Sequence, residues 1–251
     1  MTHIQLNKPK ILAIIPARYG STRFPGKALV EIKGEPMVWQ VYLRAQEAGL
    51  SEICVATDDS RIFDAVTKRG GKAIMTAASH LSGTDRCGEV VQHYLDAGQS
   101  FDFVINLQGD EPFIHPQQIL ELCNCLEKGK ISTLVKKIEK AEQFLSPNTV
   151  KAVWSKNSNA ALYFSRFPIP YLRAEGNPNV DKHCYYKHIG LYGFDTNILL
   201  ELIKLQPSEL ELAESLEQLR WLENGYSIKV CETNYESTGI DSPEDLKLLG
   251  L

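Results

Sequence analysis

The chain has 251 residues, of which 43% are hydrophobic and 23% are charged, and its formal net charge is -4. These proportions are ordinary for a globular protein with a core, and the acidic balance argues against a general nucleic-acid binder. The first residues, MTHIQLNKPK, lack the apolar centre of a signal peptide, and no apolar run approaches the roughly 18 residues of a membrane span. We therefore expect a cytoplasmic protein with no nucleic-acid partner and no membrane insertion.

The first half of the chain alternates predicted strands with predicted helices. In chain order these are a strand at 11–17, a helix at 37–48, a strand at 52–56, a helix at 60–69, a strand at 72–75, a helix at 84–97, a strand at 102–107, and a helix opened by Pro116 and ended by Gly129. The unbroken apolar run at 11–17 is typical of a parallel strand that is covered on both faces. The alternation predicts an α/β fold with a mainly parallel sheet and helices on both faces.

The second half changes character, because several predicted strands follow one another. These elements are strands at 130–136, 150–154, 160–164 and 186–194, a helix at 209–223, a strand at 227–233, and a short helix begun by Ser242 and Pro243. In the helix at 209–223, the expected core stripe is Leu212, Leu216, Leu219 and Leu222. The polar stretch at 174–183 predicts a loop or hairpin tip. We expect a single domain over residues 1–251, to which the second half adds a small sheet.

The cysteines indicate no metal site. Six occur, and none belongs to a C-x-x-C pair. Cys123 and Cys125 form only a C-x-C, on a predicted helix where their side chains point apart. In a cytosolic protein we expect buried, reduced thiols and no zinc site.

A cationic loop follows the first predicted strand. Arg18, Arg23 and Lys27 supply three positive charges within ten residues, and Gly20 and Gly26 permit tight turns. Open α/β sheets bind their ligands at the carboxyl ends of the strands. On a chain of negative net charge, this cluster favours a polyphosphate site over a solvated basic loop.

The loop is not a Walker A motif. Five residues separate Gly20 from Gly26, where that motif has four, and Ala28 stands where it has Ser or Thr for magnesium. Both the glycine spacing and the missing hydroxyl residue therefore argue against a P-loop kinase.

Two aspartates are candidate magnesium ligands. Asp110 lies in LQGDEP, directly after a predicted strand, where carboxylates can meet a hard cation. Asp241 lies in TGIDSPEDL, where Asp-Ser-Pro-Glu is also a helix-start signal. The residues alone leave both roles open for Asp241.

Polar residues at the ends of predicted elements have two interpretations. Ser82 and Thr84 precede a helix whose free N–H groups can face an anion, but by composition alone a plain N-cap is the better interpretation. Arg166 ends an apolar strand and suits a carboxylate, although an isolated arginine there is more often at the surface.

Two further pairs lie on predicted regular elements. His188 and Tyr192 are four residues apart, so we expect them on one strand face, away from the apolar residues between them. Glu217 and Gln218 leave the leucine stripe of their helix and could reach a ligand, although such residues are usually only solvated.

Eight segments together resemble, in order and at matching spacing, the 3-deoxy-manno-octulosonate (Kdo) cytidylyltransferases. They run from residue 11 to about 246 and read IPARYGSTRFPGK, ATDD, SGTDR, QGDEP, ALYFSR, KHIGLYGF, LEQLR and TGIDSPEDL. The resemblance implies a Rossmann-like, mainly parallel sheet flanked by helices, of the nucleotide-diphospho-sugar transferase type. It also implies a nucleotide-binding half at about 11–130 and a sugar-binding and dimerisation half at about 131–246.

The resemblance further implies a role for each matching residue. Those implied for the nucleotide are Arg18, Lys27, Ser82, Arg86 and Gln108, of which Arg18 and Lys27 hold the triphosphate. Those implied for magnesium are Asp110 and Asp241, and together with Arg18 and Lys27 they form the implied catalytic set. Those implied for Kdo are Arg23, Gln108, Arg166, His188, Tyr192, Glu217 and Gln218.

The implied activity is transfer of CMP from CTP to Kdo, with Mg²⁺ as cofactor, in a homodimer that serves lipopolysaccharide biosynthesis. Gly20, Phe24 and Ala28 depart from the commoner family loop YASTRLPGKPL, and Gly20 and Phe24 also occur in relatives that prefer 8-amino-Kdo. Synthesis of CMP-8-amino-Kdo or CMP-sialic acid is therefore the alternative activity. A nucleotide-sensing module without catalysis is the alternative from another class.

Overall fold

A computed structural model describes residues 8–20, 24–174, 179–240 and 242–250. Its strands are β1 (Ile11–Ala17), β2 (Glu31–Ile32), β3 (Glu35–Pro36), β4 (Ile53–Thr57), β5 (Ala73–Met75), β6 (Phe103–Asn106), β7 (Ile131–Lys137), β8 (Lys151–Ser155), β9 (Ala160–Ser165), β10 (Tyr186–Asp195) and β11 (Ile228–Glu232). Its α-helices are α1 (Met37–Glu47), α2 (Ser60–Thr67), α3 (Gly83–Asp96), α4 (Pro116–Cys125), α5 (Ala141–Leu145), α6 (Thr196–Leu202), α7 (Glu209–Glu214), α8 (Glu217–Glu223) and α9 (Pro243–Leu248). Within these ranges, no helix combines the length and apolar character that a membrane span requires.

Nine of the described strands form one mixed sheet, in the order β5-β4-β1-β6-β10-β7-β11-β9-β8. The first four run parallel, as predicted, but β10 pairs antiparallel with both β6 and β7. The expectation of a mainly parallel sheet is therefore wrong. The expectation of an added small sheet is also wrong, because the strands of the second half extend the first sheet.

Both faces of the sheet are covered, as the apolar run of β1 predicted. Leu12 and Ile14 pack in one core layer with α3, α6 and α8, whereas Ala13 and Ile15 pack in the other with α1, α2 and α4. Alternate residues of a strand point to opposite faces, so each face of β1 buries its own apolar set. This two-sided core fixes the carboxyl end of β1.

Both faces of β10 are buried as well. Ile189 and Leu191 belong to the layer with α1 and α4, but Tyr192 is 8% exposed and packs in the opposite apolar layer. The rings of His188 and Tyr192 do lie together, with centroids 5.2 Å apart. The prediction that their face is not apolar is wrong, because α8 covers it through Trp221, whose ring lies 4.9 Å from that of Tyr192.

The helix predicted at 209–223 is two helices. Ser215, between α7 and α8, adopts φ 53° and ψ 50°, a left-handed conformation that ends a helix. The predicted leucine stripe is interrupted at the same point. Leu216 and Leu219 are buried, whereas Leu212 is 69% exposed. The apolar spacing was right only for the second helix.

The cysteine prediction is wrong for one pair. Cys125, at the end of α4, and Cys231, in β11, form a disulfide across 106 residues of sequence. Cys54 and Cys87 are buried free thiols, as expected, but the free thiol of Cys184 is exposed.

Candidate active site

A cavity of about 360 Å³ opens at the carboxyl ends of β1 and β6. The two strands are parallel neighbours, so the loops that follow them meet at one edge of the sheet. Eight of the sequence-predicted residues line this cavity: Arg18, Lys27, Ser82, Arg86, Gln108, Asp110, Tyr192 and Glu217. Segments that are distant in sequence therefore meet at the carboxyl ends of the parallel strands, where a ligand site was expected.

Lys27 and Asp110 form an ion pair in the cavity, with Nζ 2.7 Å from Oδ2. Gly26 enables this placement, because its φ of 72° turns the chain into the short 3-10 helix that begins at Lys27. Asp110 also accepts a backbone hydrogen bond of 2.9 Å from the N–H of Ile240. The C-terminal segment is thus held beside the carboxylate, while Asp241 itself lies outside the described residues.

The amino end of α3 forms another wall. Ser82 caps this helix, since its Oγ accepts from the N–H of Asp85 at 3.1 Å, so the plain capping role is present. Thr84 donates through Oγ1 to Oε2 of Glu217 at 2.8 Å, which ties α3 to α8. Burial raises the pKa of Glu217 above its ordinary value.

Arg86 is held from behind while it lines the cavity. Its guanidinium donates to Asp58 Oδ2 at 3.0 Å and to the hydroxyl of Thr76, and its side chain is 3% exposed. Asp58 comes from the segment ATDD that follows β4. The ion pair fixes the guanidinium, so a ligand in the cavity would meet the remaining edge of an oriented group.

Three predicted residues lie away from the cavity lining. Arg166 donates to backbone carbonyls of Pro147, Glu214 and Ser215. His188 lies behind Tyr192, with Nε2 2.9 Å from Thr133 Oγ1. The third is Gln218, which is buried; Arg23 and Asp241 lie outside the described residues.

Sequence reasoning missed Asn106 and His80, which also line the cavity. Among the described residues, Asn106 Oδ1, Tyr192 Oη and Gln218 Nε2 are buried and have no hydrogen-bond partner. Native proteins satisfy most buried polar groups, so Asn106 and Tyr192, which line the cavity, are candidates for ligand contacts. Asn106 had a usable signal, because it is a polar residue in an apolar strand, two positions before Gln108 and hence on the same face.

Asp110 provides the type of ligand that a magnesium ion prefers. Mg²⁺ commonly takes one or two carboxylates together with phosphate oxygens, so a protein carboxylate in a cavity that can admit phosphate groups suits it. No group of three or more His, Cys, Asp or Glu residues that could hold a metal occurs in the described part of the chain. The donor set therefore fits a metal that the substrate helps to bind.

Comparisons with known proteins agree over almost the whole chain. The cytidylyltransferase family profile matches residues 12–230. The 3-deoxy-manno-octulosonate cytidylyltransferase of Parabacteroides distasonis is 50% identical over 245 residues, covering 95% of this chain and 96% of that protein. The protein of the same name from Thermodesulfovibrio yellowstonii is 51% identical over 244 residues, covering 94% and 95%. A solved structure of CMP:2-keto-3-deoxy-manno-octonic acid synthetase complexed with CTP is 43% identical, with a TM-score of 0.86 over 96% of each chain.

Proposed function

The chain belongs to the 3-deoxy-manno-octulosonate cytidylyltransferase family, and on that premise we propose that it transfers CMP from CTP to the anomeric hydroxyl of Kdo. The products are CMP-Kdo and pyrophosphate. The observation that carries this proposal is the similarity, at 43% identity and a TM-score of 0.86, to a synthetase complexed with CTP. The names of the relatives favour Kdo over 8-amino-Kdo or sialic acid.

Arg18 and Lys27 would hold the terminal phosphates of CTP. Both line the cavity at the carboxyl end of β1, and their charges would stabilise the pyrophosphate that leaves. Ser82 and Arg86 would contact the cytidine from the α3 side, and Gln108 would lie between nucleotide and sugar. These residues bring donors and positive charge to a polyanion, as phosphoryl transfer requires.

Asp110 and Asp241 would hold the magnesium ion. The fit rests on Asp110, whose carboxylate lines the cavity 2.7 Å from the Lys27 ammonium. When bound, the ion neutralises phosphate charge and lowers the pKa of a coordinated hydroxyl. Asp110 supplies a carboxylate that can hold the cation, and Lys27, which is paired with it here, supplies an ammonium that can meet phosphate.

The sugar would lie against Tyr192 and Glu217, with Gln108 above it. Tyr192 Oη is buried without a partner among the described residues, so a sugar hydroxyl would satisfy it. Arg166 would pair with the sugar carboxylate, and His188 and Gln218 would support the pocket from behind; Arg23 is a further proposed sugar contact. The C2 hydroxyl would attack the α-phosphorus and lose its proton to solvent, while the bond from that phosphorus to the leaving pyrophosphate oxygen breaks.

Release of pyrophosphate from CTP and Kdo tests this proposal directly. Parallel reactions with 8-amino-Kdo and with sialic acid rank the three sugars, and the other nucleoside triphosphates test the base. Release with CTP and Kdo above all other pairs supports the proposal. CTP binding without release under any condition would instead favour a nucleotide-sensing module.

Asp110→Asn tests the metal role. The amide keeps the shape but loses the charge that attracts a cation, so kcat should fall by at least about 100-fold, of the order seen when one preorganised electrostatic contact is lost. Asp64→Asn is the matched control, because Asp64 is exposed on α2. Unchanged turnover and magnesium dependence in Asp110→Asn would remove the assignment.

The remaining parts of the proposal are physiological. The enzyme would act as a homodimer in the cytoplasm, where it would activate Kdo for lipopolysaccharide biosynthesis. The support is the identity of about 50% to curated relatives of that name. Light scattering of the purified chain would test the dimer.

A further inference from the structure

A group of contacts at the end of β9 holds one arginine in place; we call it the Arg166 cluster, formed by Lys151, Ser165, Arg166, Glu214 and Ser215. The carboxylate of Glu214 lies at its centre. It accepts from Ser165 Oγ at 2.5 Å and from the Arg166 backbone N–H at 2.9 Å. Glu214 thus joins the end of β9 to the end of α7.

The guanidinium of Arg166 is oriented by backbone oxygens. Nε donates to Glu214 O at 2.7 Å, Nη1 to Pro147 O at 3.2 Å and Nη2 to Ser215 O at 3.3 Å. These bonds use three of the five guanidinium N–H groups, and one N–H remains on each terminal nitrogen. Two N–H groups at the terminal nitrogens match the two oxygens of a carboxylate.

Lys151 supports the cluster from the interior. Its side chain is fully buried, and its ammonium donates to Ser146 O at 2.9 Å, to Thr149 O at 2.6 Å and to Arg166 O. A buried ammonium is stable only when its donors are satisfied and an opposite charge lies near. Glu214 supplies that negative charge, so the cluster depends on both residues.

The cluster is connected to the cavity wall along the chain, through the junction of α7 and α8. Ser215, whose carbonyl accepts from Arg166, has a left-handed backbone and ends α7. Glu217, two residues later, lines the cavity and is bonded to Thr84. The junction of α7 and α8 therefore determines the positions of both Arg166 and Glu217.

We propose that Glu214 is a positioning residue for the acid sugar: it fixes Arg166 so that its two remaining N–H groups face the substrate carboxylate. This inference rests on the proposed function, since it presupposes an acidic sugar substrate. Glu214 itself contacts no substrate. It acts through the orientation of Arg166, so its loss should affect the sugar and leave CTP unaffected.

Steady-state kinetics of three variants test this role. Glu214→Ala removes both carboxylate bonds and should raise KM for Kdo at least about tenfold, as expected when a charged hydrogen bond is lost. The Kd for CTP, measured by calorimetry without sugar, should stay as in the wild type. Glu214→Gln should restore only part of the affinity: the amide can accept from the Arg166 N–H and donate to Ser165 Oγ, but it lacks the charge that faces the Lys151 ammonium.

Glu209→Gln is the matched control, since Glu209 is exposed on the same helix and the change removes the same charge. Combining Glu214→Ala with Arg166→Ala should be no worse than Arg166→Ala alone, because both act through one group. Additive losses, an unchanged KM for Kdo, or an equal weakening of CTP binding would each overturn the proposal.

Ser165→Ala covers the case in which Glu214→Ala does not fold. It removes one bond to the carboxylate, so a smaller rise in KM for Kdo with unchanged CTP binding is expected, and no rise would overturn the proposal. A wild type that releases no pyrophosphate overturns the proposed function and this inference together. An active wild type with insensitive variants overturns this inference alone.

Discussion

At the scale of single residues, His188 shows how burial sets a charge state. Its ring packs against Phe164 and Tyr192, with centroids at 5.0 and 5.2 Å, and its Nε2 lies 2.9 Å from Thr133 Oγ1. Burial lowers the pKa of His188 from 6.5 to about 3. The folded chain therefore keeps this imidazole neutral at pH values where the unfolded chain protonates it.

This difference predicts a pH dependence of stability. As pH falls from 6.5 toward 3, the unfolded state binds a proton that the folded state does not, so the free energy of unfolding decreases. Between pH 7 and 5 the loss due to His188 should be up to about 2 kcal/mol. Urea unfolding should show that His188→Gln loses less stability over this interval than the wild type.

His93→Gln provides the control, because it removes a solvent-exposed histidine of α3. It should follow the wild-type curve. Equal losses in wild type and His188→Gln would show that His188 is protonated in the folded chain.

Residue patterns located most of the cavity because its residues lie in short segments at strand ends. The arginines were harder. The position of Arg166 after a strand left its role open, and only the family resemblance implied a ligand. Its partners here are carbonyls of residues 147, 214 and 215, which no local pattern brings near it. Such contacts depend on how distant loops pack.

At the scale of elements, the loop after β6 packs tightly against the end of β1. A Cβ on Gly109 would lie 2.8 Å from Pro16 O and 3.4 Å from the Ala17 Cβ. Real Cβ atoms do not approach a backbone oxygen so closely, so only glycine fits without a shift of one loop. Gln108 and Asp110 flank this glycine and line the cavity.

Gly109→Ala should therefore impair the reaction. Displacing Asp110 by about 1 Å would lower kcat/KM by up to about 100-fold, since reacting groups must be held close to their productive positions. Gly239→Ala is the matched control, because a Cβ there meets Glu111 Cγ at 3.7 Å and Asp110 O at 3.8 Å, which are ordinary contacts. Similar kcat/KM values for the two variants would contradict the argument.

Element boundaries followed the sequence where apolar runs were long. β1 and the start of α9 fall at the predicted residues, and α1 ends one residue before the predicted end. The break at Ser215 was missed, because the leucine spacing continues across it and the left-handed residue is not glycine. The hairpin of β2 and β3 was missed as well, since two-residue strands leave no periodicity.

At the scale of the whole molecule, strand order could not be derived from alternation. The rhythm of the first half correctly predicted parallel neighbours, but β10 comes from far along the chain and enters between β6 and β7 in the opposite direction. Its sequence, apolar on both faces, is compatible with either direction. The mixed sheet is thus a result of tertiary pairing.

The disulfide links the two halves and predicts a redox dependence of stability. Because Cys125 and Cys231 are 106 residues apart, their bond restricts a long loop of the unfolded chain. Reduction should lower the free energy of unfolding by about 2–4 kcal/mol. Urea midpoints with and without reductant measure this, and Cys125→Ser should not respond to reductant. Identical wild-type midpoints would contradict the prediction.

The late arrival of β10 also bears on synthesis. On the side away from β1, the hydrogen-bonding groups of β6 are met by residues of β10, which end at Asp195. The ribosome must therefore synthesise most of the chain before this edge of β6 is covered. Until then, the unpaired edge can form β-sheet hydrogen bonds with another chain. A chain truncated near residue 130 should therefore be insoluble. For the same reason, we expect the full-length nascent chain to need holdase chaperones until β10 has left the exit tunnel.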